Sequence, residues 1–66
     1  MEFEIVFDRE EDGRWIAEIE SLPGVLVYGA TRNEARSKVE ALALRVLADR
    51  IESEQSPMGQ VRFAAA

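Results

Sequence analysis

The chain has 66 residues, of which 13 are acidic and 8 basic, and it contains no cysteine, so its formal net charge at pH 7 is -5. This balance disfavours direct nucleic-acid binding, no apolar run approaches the roughly 20 residues that span a bilayer, and the start MEFEIVF lacks the features of a signal peptide. We therefore expect a cytoplasmic protein with no membrane contact. Because so short a chain buries a small core, we also expect it to associate with itself, as a homodimer or larger, or with another protein.

The first two elements are predicted to form an antiparallel hairpin. Apolar and polar residues alternate over residues 2–8 and again over residues 14–20, which is typical of half-buried strands. A polar turn ending in Asp12 and Gly13 separates them, as a hairpin requires. The residues expected to face the core are Phe3, Ile5, Phe7, Trp15, Ala17 and Ile19.

A turn and a third strand follow the hairpin. Pro23 fixes its own φ angle and Gly24 accepts a positive one, so the pair predicts a turn. Residues 25–29 then form a β-prone run, and Gly29 at its end allows a bend or a close approach of another backbone.

A single long helix is predicted over residues 32–52. Thr31 and Glu34 have the spacing of a capping box, in which each side chain bonds the backbone N–H of the other residue. Apolar residues recur at three- and four-residue steps along the helix, which predicts one stripe against the sheet. At roughly 30 Å the helix exceeds the strands in length, so we expect its C-terminal end to overhang the sheet and to offer Leu44 and Ile51 to a second subunit.

A loop and a short fourth strand complete the chain. Residues 53–59 contain Ser, Gln, Pro and Gly, and residues 60–63 place Val61 and Phe63 on one side of an extended segment. The predicted architecture is a single two-layer α+β domain of order β-β-β-α-β, with one helix on one face of the sheet.

Several of these features together resemble the HicB antitoxin family over nearly the whole chain. The residues that carry the resemblance are Trp15, Pro23, Gly24, Gly29, Thr31, Glu34 and the Ala41-Leu42-Ala43-Leu44 run of the helix. Ser21 stands where the family often has an acidic residue. Each of these positions also has a local structural purpose in a turn, cap or core, so the motif by itself marks the fold rather than a working surface.

The resemblance implies a partial RNase H-like fold and a role in a bacterial or archaeal type II toxin–antitoxin system. HicB proteins bind and neutralise HicA, a small basic toxin that cleaves mRNA, and many carry a C-terminal DNA-binding domain. Only three alanines follow Phe63 here, so we expect no such domain. The implied action is stoichiometric protein binding, without a cofactor.

An acidic side of the sheet is the strongest candidate surface for such binding. The carboxylates expected on the side opposite the helix are Glu2, Glu4, Asp8, Glu18 and Glu20. Ile16 shares that side, and Arg14 is the one expected cation. Two interpretations remain open: the face docks a basic toxin, chiefly by accelerating association and selecting the partner, or it is an ordinary solvated sheet face.

Two other classes of function compete with the antitoxin hypothesis. Val6, Ile16 and either Leu26 or Tyr28 are apolar residues of the same face, so the chain is alternatively a homo-oligomeric adaptor or structural protein. A metal-dependent nuclease is the less favoured alternative, because the carboxylates belong mostly to two strands and the chain has no His or Cys. We expect no catalytic residue and no metal ligand.

Overall fold

Four strands and one helix form two layers in the computed structural model, which describes all 66 residues. The elements are β1 (Glu2–Arg9), β2 (Trp15–Glu18), β3 (Leu26–Gly29), α1 (Arg32–Glu54) and β4 (Arg62–Ala65). The predicted α+β class, the β-β-β-α-β order and the single helix are confirmed.

The strands form one mixed sheet in the order β3-β2-β1-β4. β1, β2 and β3 are antiparallel neighbours, whereas β4 lies parallel to β1 on the other side. β4 begins two residues later than predicted. The Gln60 N–H donates to the nearby Met58 carbonyl at 3.0 Å, and the first ladder bond to β1 is the one from the Arg62 N–H to the Met1 carbonyl at 2.9 Å.

The turn before β3 has the geometry that its sequence predicts. The Val25 N–H donates to the Leu22 carbonyl at 3.1 Å, so Pro23 and Gly24 occupy the two central positions, and Gly24 has φ 84. A type II turn requires this positive angle at its third residue. Leu22 and Val25 are both buried, so the turn also contributes two side chains to the core.

The helix begins at the predicted cap but uses only half of the predicted capping box. Thr31 has extended backbone angles and its hydroxyl accepts from the Glu34 N–H at 3.0 Å. The carboxylate of Glu34 pairs with the amine of Lys38 at 3.0 Å and does not accept a hydrogen bond from the Thr31 N–H. The helix ends at Glu54, and the capping residue Gln55 after it has a left-handed φ of 51.

One four-residue stripe of the helix is fully covered by the sheet. The core residues are Phe3, Ile5, Ala17, Ile19, Leu22, Val25, Ala35, Val39, Ala43 and Leu47. The helix packs chiefly across β2 and β3. At its start the helix touches the sheet backbone itself, because a Cβ added to Gly29 would lie 2.5 Å from the Ala35 nitrogen.

The C-terminal part of the helix extends past the core. Leu47 is its last buried residue, and none of residues 48–54 is buried. Leu44 is 49% exposed, while Ile51 is half-buried beside Met1 and Met58. Contact of Leu44 and Ile51 with a second subunit stays a prediction. The helix lacks the apolar length that crossing a membrane takes.

Candidate protein-binding face

The sheet has one face that the helix does not cover, which we call the open face. Strand alternation and pairing place these side chains on it: Glu2, Glu4, Val6, Asp8, Ile16, Glu18, Leu26, Tyr28, Arg62 and Ala64. Four of these ten side chains are carboxylates, so the open face has the composition of a charged surface interrupted by apolar residues.

Carboxylates and apolar side chains alternate across the strands of this face. One row runs from Asp8 through Ile16 to Tyr28, and Glu18 lies between Val6 and Leu26 in the next row. Side chains directly opposite on paired strands lie about 5 Å apart and diagonal ones about 7–8 Å. The carboxylates are therefore spread over the face, with apolar groups between them.

Four of the five predicted partner-binding residues lie on the open face. Glu4 and Asp8 are exposed, and Ile16 and Glu18 are half-buried. Glu20 is the exception, because β2 ends at Glu18 and Glu20 lies in the turn that follows. Continuing the β1–β2 register would set Glu20 opposite Glu4, and like charges directly opposite are destabilising. β2 is one residue shorter at its start and two residues shorter at its end than the predicted span of about 14–20.

Two arginines border the carboxylates, where the sequence indicated one. Arg14 lies next to β2, with its guanidinium 4.7 Å from the centre of the Tyr28 ring and 2.8 Å from the Asp12 carboxylate. Arg62, which the sequence analysis missed, pairs with Glu2 at 3.5 Å. The alternation of Val61 and Phe63 indicates that Arg62 points to the opposite side of its strand. The sequence does not indicate which strand β4 pairs with, so it does not place Arg62 beside Glu2.

One carboxyl group at the end of this face has a shifted pKa. The Arg14 backbone N–H donates to Asp12 at 3.0 Å, and this bond, followed by the hydrogen bond and the charge of the Arg14 side chain, lowers the pKa of Asp12 below its ordinary value. Asp12 thus holds Arg14 at the hairpin turn, beside Tyr28.

Large apolar groups are exposed at one side of the open face. Leu26 and Tyr28 of β3 are each 41% exposed, and Val6 and Ile16 beside them are half-buried. These four side chains form an apolar patch on β1, β2 and β3, with Glu18 between Val6 and Leu26 and with Asp8 in the row of Ile16 and Tyr28. Protein interfaces commonly combine apolar contacts with polar and charged ones.

The residues that resemble the family motif lie away from the open face. Trp15 and Gly29 are on the helix side of the sheet, where the Arg9 guanidinium lies 5.4 Å from the Trp15 ring, and Pro23 and Gly24 form the turn. Thr31, with Glu34, begins the helix. None of them contributes to the face that carries the acidic residues.

No group of three or more acidic side chains lies close enough together to hold a metal ion. No protein-family model, curated protein or solved structure matches the chain.

Proposed function

We propose that the chain is a HicB-like antitoxin whose open face binds and neutralises a small basic toxin of the HicA type. The observation that carries the proposal is the combination on this face of an exposed apolar patch and the carboxylates interspersed with it. The resemblance of the turn, cap and helix residues to the HicB family supports it, as does the agreement of the β-β-β-α-β order with that family's pattern.

The proposed binding uses the two kinds of side chain differently. Glu4, Asp8 and Glu18 attract a cationic partner and orient it during encounter, an effect that salt weakens. Val6, Ile16, Leu26 and Tyr28 then lose water against the partner and slow its dissociation.

A charge-reversal experiment tests this assignment. The small basic protein recovered with the tagged chain from its own cells is purified, and its association with the wild-type chain and with the double variant Glu4→Lys and Glu18→Lys is measured at several salt concentrations. We expect the double variant to associate at least about tenfold more slowly at low salt, because both carboxylates become repulsive.

The matched control carries the same charge change elsewhere. Asp49→Lys combined with Glu52→Lys alters two exposed helix residues that lie away from the open face. We expect association to slow less than threefold. Equal slowing by both double variants would show that net charge rather than the open face governs binding, and unchanged affinity in the first would reject the docking site.

The competing proposal is a homo-oligomeric adaptor. The exposed Leu26, Tyr28 and Leu44 favour it, because a second copy could cover them. Two results together would support the adaptor and reject the antitoxin. The first is that no basic partner is recovered with the chain, and the second is that the mass measured by light scattering falls from that of an oligomer to that of one chain when Leu26 and Tyr28 are replaced by Ser.

A further inference from the structure

β3 is an outer strand with one unpaired side, which we call the β3 edge. The Val25 carbonyl accepts from the Ile19 N–H at 3.1 Å and so points toward β2. Backbone groups alternate in direction along a strand, so those of Leu26 and Tyr28 point away from the sheet. One of these outward groups, the Tyr28 carbonyl, accepts a hydrogen bond from the Lys38 amine at 3.2 Å. The remaining outward groups of the β3 edge face no strand.

A groove of about 450 Å³ runs beside the β3 edge, between the strand and the nearer side of the helix. We call it the edge groove, and its lining residues are Val27, Ser37, Lys38, Ala41, Leu42 and Arg45. Val27 and Leu42 make its floor apolar. A strand added to the β3 edge would place alternate side chains in this groove, because successive residues of a strand point to opposite faces.

The edge groove is cationic in an acidic protein. Its lining holds two basic residues and no carboxylate, although the chain has 13 acidic residues. Lys38 is paired with Glu34. Arg45 alone among the basic residues has no ion pair and no aromatic ring beneath its guanidinium, whereas each of the others has one or the other. A negatively charged group in the groove would meet an uncompensated guanidinium.

We propose that the β3 edge binds an extended, acidic segment of another protein as a fifth strand. The segment's backbone bonds the outward groups of Leu26 and Tyr28, one of its apolar side chains fills the groove over Val27, and a carboxylate pairs with Arg45. Backbone bonding supplies affinity and the alternate side chains supply selectivity, as in other strand additions. An N–H of the added strand replaces the Lys38 amine as the donor to the Tyr28 carbonyl, and Lys38 retains its ion pair with Glu34.

Charge selects this occupant over a second copy of the chain. Two-fold pairing of two β3 strands would put both helices on the same side of the joined sheet and bring the two edge grooves together. Lys38 and Arg45 of one copy would then lie close to Lys38 and Arg45 of the other, and these like charges would repel because neither groove lining contains a carboxylate. An acidic segment removes that repulsion. The proposal concerns a surface separate from the open face and does not rest on the antitoxin assignment.

Two capped eight-residue peptides with alternating side chains test the proposal. One alternates valine with glutamate and the other valine with lysine, and each is titrated into the ¹⁵N-labelled chain while amide signals are followed by NMR. We expect the glutamate peptide to shift the signals of residues 26–29 and to bind at least about tenfold more tightly than the lysine peptide. N-methylation of alternate amides in the glutamate peptide should abolish its binding.

Two charge-reversal variants locate the effect. Arg45→Glu should reverse the preference between the peptides, whereas Arg50→Glu, a change on the same helix outside the edge groove, should preserve it. Glu18→Lys on the open face should also preserve it, so failure of the antitoxin proposal remains distinguishable. Equal binding of both peptides, shifts centred on β4 or the open face, or β3 amides already protected by a dimer would overturn the proposal.

Discussion

The two outer strands of the sheet are held in different ways. β3 lies beneath the helix, with Gly29 against the Ala35 backbone and the Lys38 amine on the Tyr28 carbonyl. β4 lies beyond the strands over which the helix chiefly packs, and its ladder to β1 is its main attachment. The position of one helix thus makes one outer strand part of the core and leaves the other peripheral.

No residue of β4 is fully buried. Phe63 packs near Phe3 with ring centres 6.2 Å apart, and the Arg62–Glu2 pair is largely solvated. Local opening of a protein occurs first where buried apolar contacts are few. We therefore infer that β4 opens before the rest of the sheet, and the following predictions test the contrast with β3.

The largest expected effect comes from Gly29→Ala. The new Cβ would lie 2.5 Å from the Ala35 nitrogen and 2.9 Å from its Cα, so backbone must move. We expect a loss of about 3 kcal/mol in the free energy of unfolding, measured by urea denaturation.

The control for this change is Gly24→Asn, which alters a glycine that has no neighbour within 4 Å of an added Cβ. Its left-handed backbone suits Asn, so the cost should stay below about 1 kcal/mol. Similar losses for the two variants would show that the strand–helix contact is not what holds β3.

At the other outer strand, Phe63→Ala should cost about 2 kcal/mol, because the removed ring is half-buried against Phe3. Hydrogen exchange should become faster at the β4 amides that bond β1, while β3 keeps its protection relative to global unfolding. Tyr28→Ala removes a more exposed ring from β3 and should cost about 1 kcal/mol or less. Uniform acceleration of exchange after Phe63→Ala would contradict separate opening of β4.

A smaller effect is expected at the helix start. Thr31→Ala removes the acceptor of the Glu34 N–H and should cost about 1 kcal/mol, with faster exchange in the first helical turn above Gly29 and no change specific to β4. Thr31→Ser keeps the hydroxyl and serves as the control. Equal losses in both variants would assign the effect to the methyl group instead of the cap.

The smallest expected effect is a pH dependence near the β3 edge. The Lys38 side chain lowers the pKa of Glu34, by its hydrogen bond first and its charge second, below the ordinary 4.5. The folded state thus gains stability that is present above about pH 4.5 and is lost as pH falls through the lower folded pKa. Glu34→Gln should lower the thermal midpoint slightly at pH 7 and not at pH 2.

Glu52→Gln, which changes a helical glutamate that has no ion pair, is the control for this pH series. A difference between Glu34→Gln and wild type that persists unchanged at pH 2 would assign the effect to helix propensity.

Local chemistry explains the elements that were predicted correctly. Alternation in residues 2–8, the Pro23-Gly24 turn and the Thr31 cap each act through residues within a few positions of one another. The Glu34 side chain was predicted less well, because Lys38 at the next turn of the helix offered its carboxylate an ion pair that competes with the capping box.

The open face was predicted in outline only. The alternation of side chains along β1 and β2 places four of the expected residues on the side opposite the helix: Glu4, Asp8, Ile16 and Glu18. The exclusion of Glu20 depends on where the ladder to β1 ends. The position of Arg62 on the open face depends on the parallel pairing of β4 with β1, which is a contact between the two ends of the chain.

The sequence by itself determined the order and kind of the elements, the side of each strand that is apolar, and the points where the chain turns, since short-range sterics and hydrogen bonds control these features. Only the tertiary structure decided which strand β4 joins, over which strands the helix lies, and that Arg45 is left beside an unpaired edge. Those features depend on how one small apolar stripe of the helix is best buried, and that choice involves residues far apart in the chain.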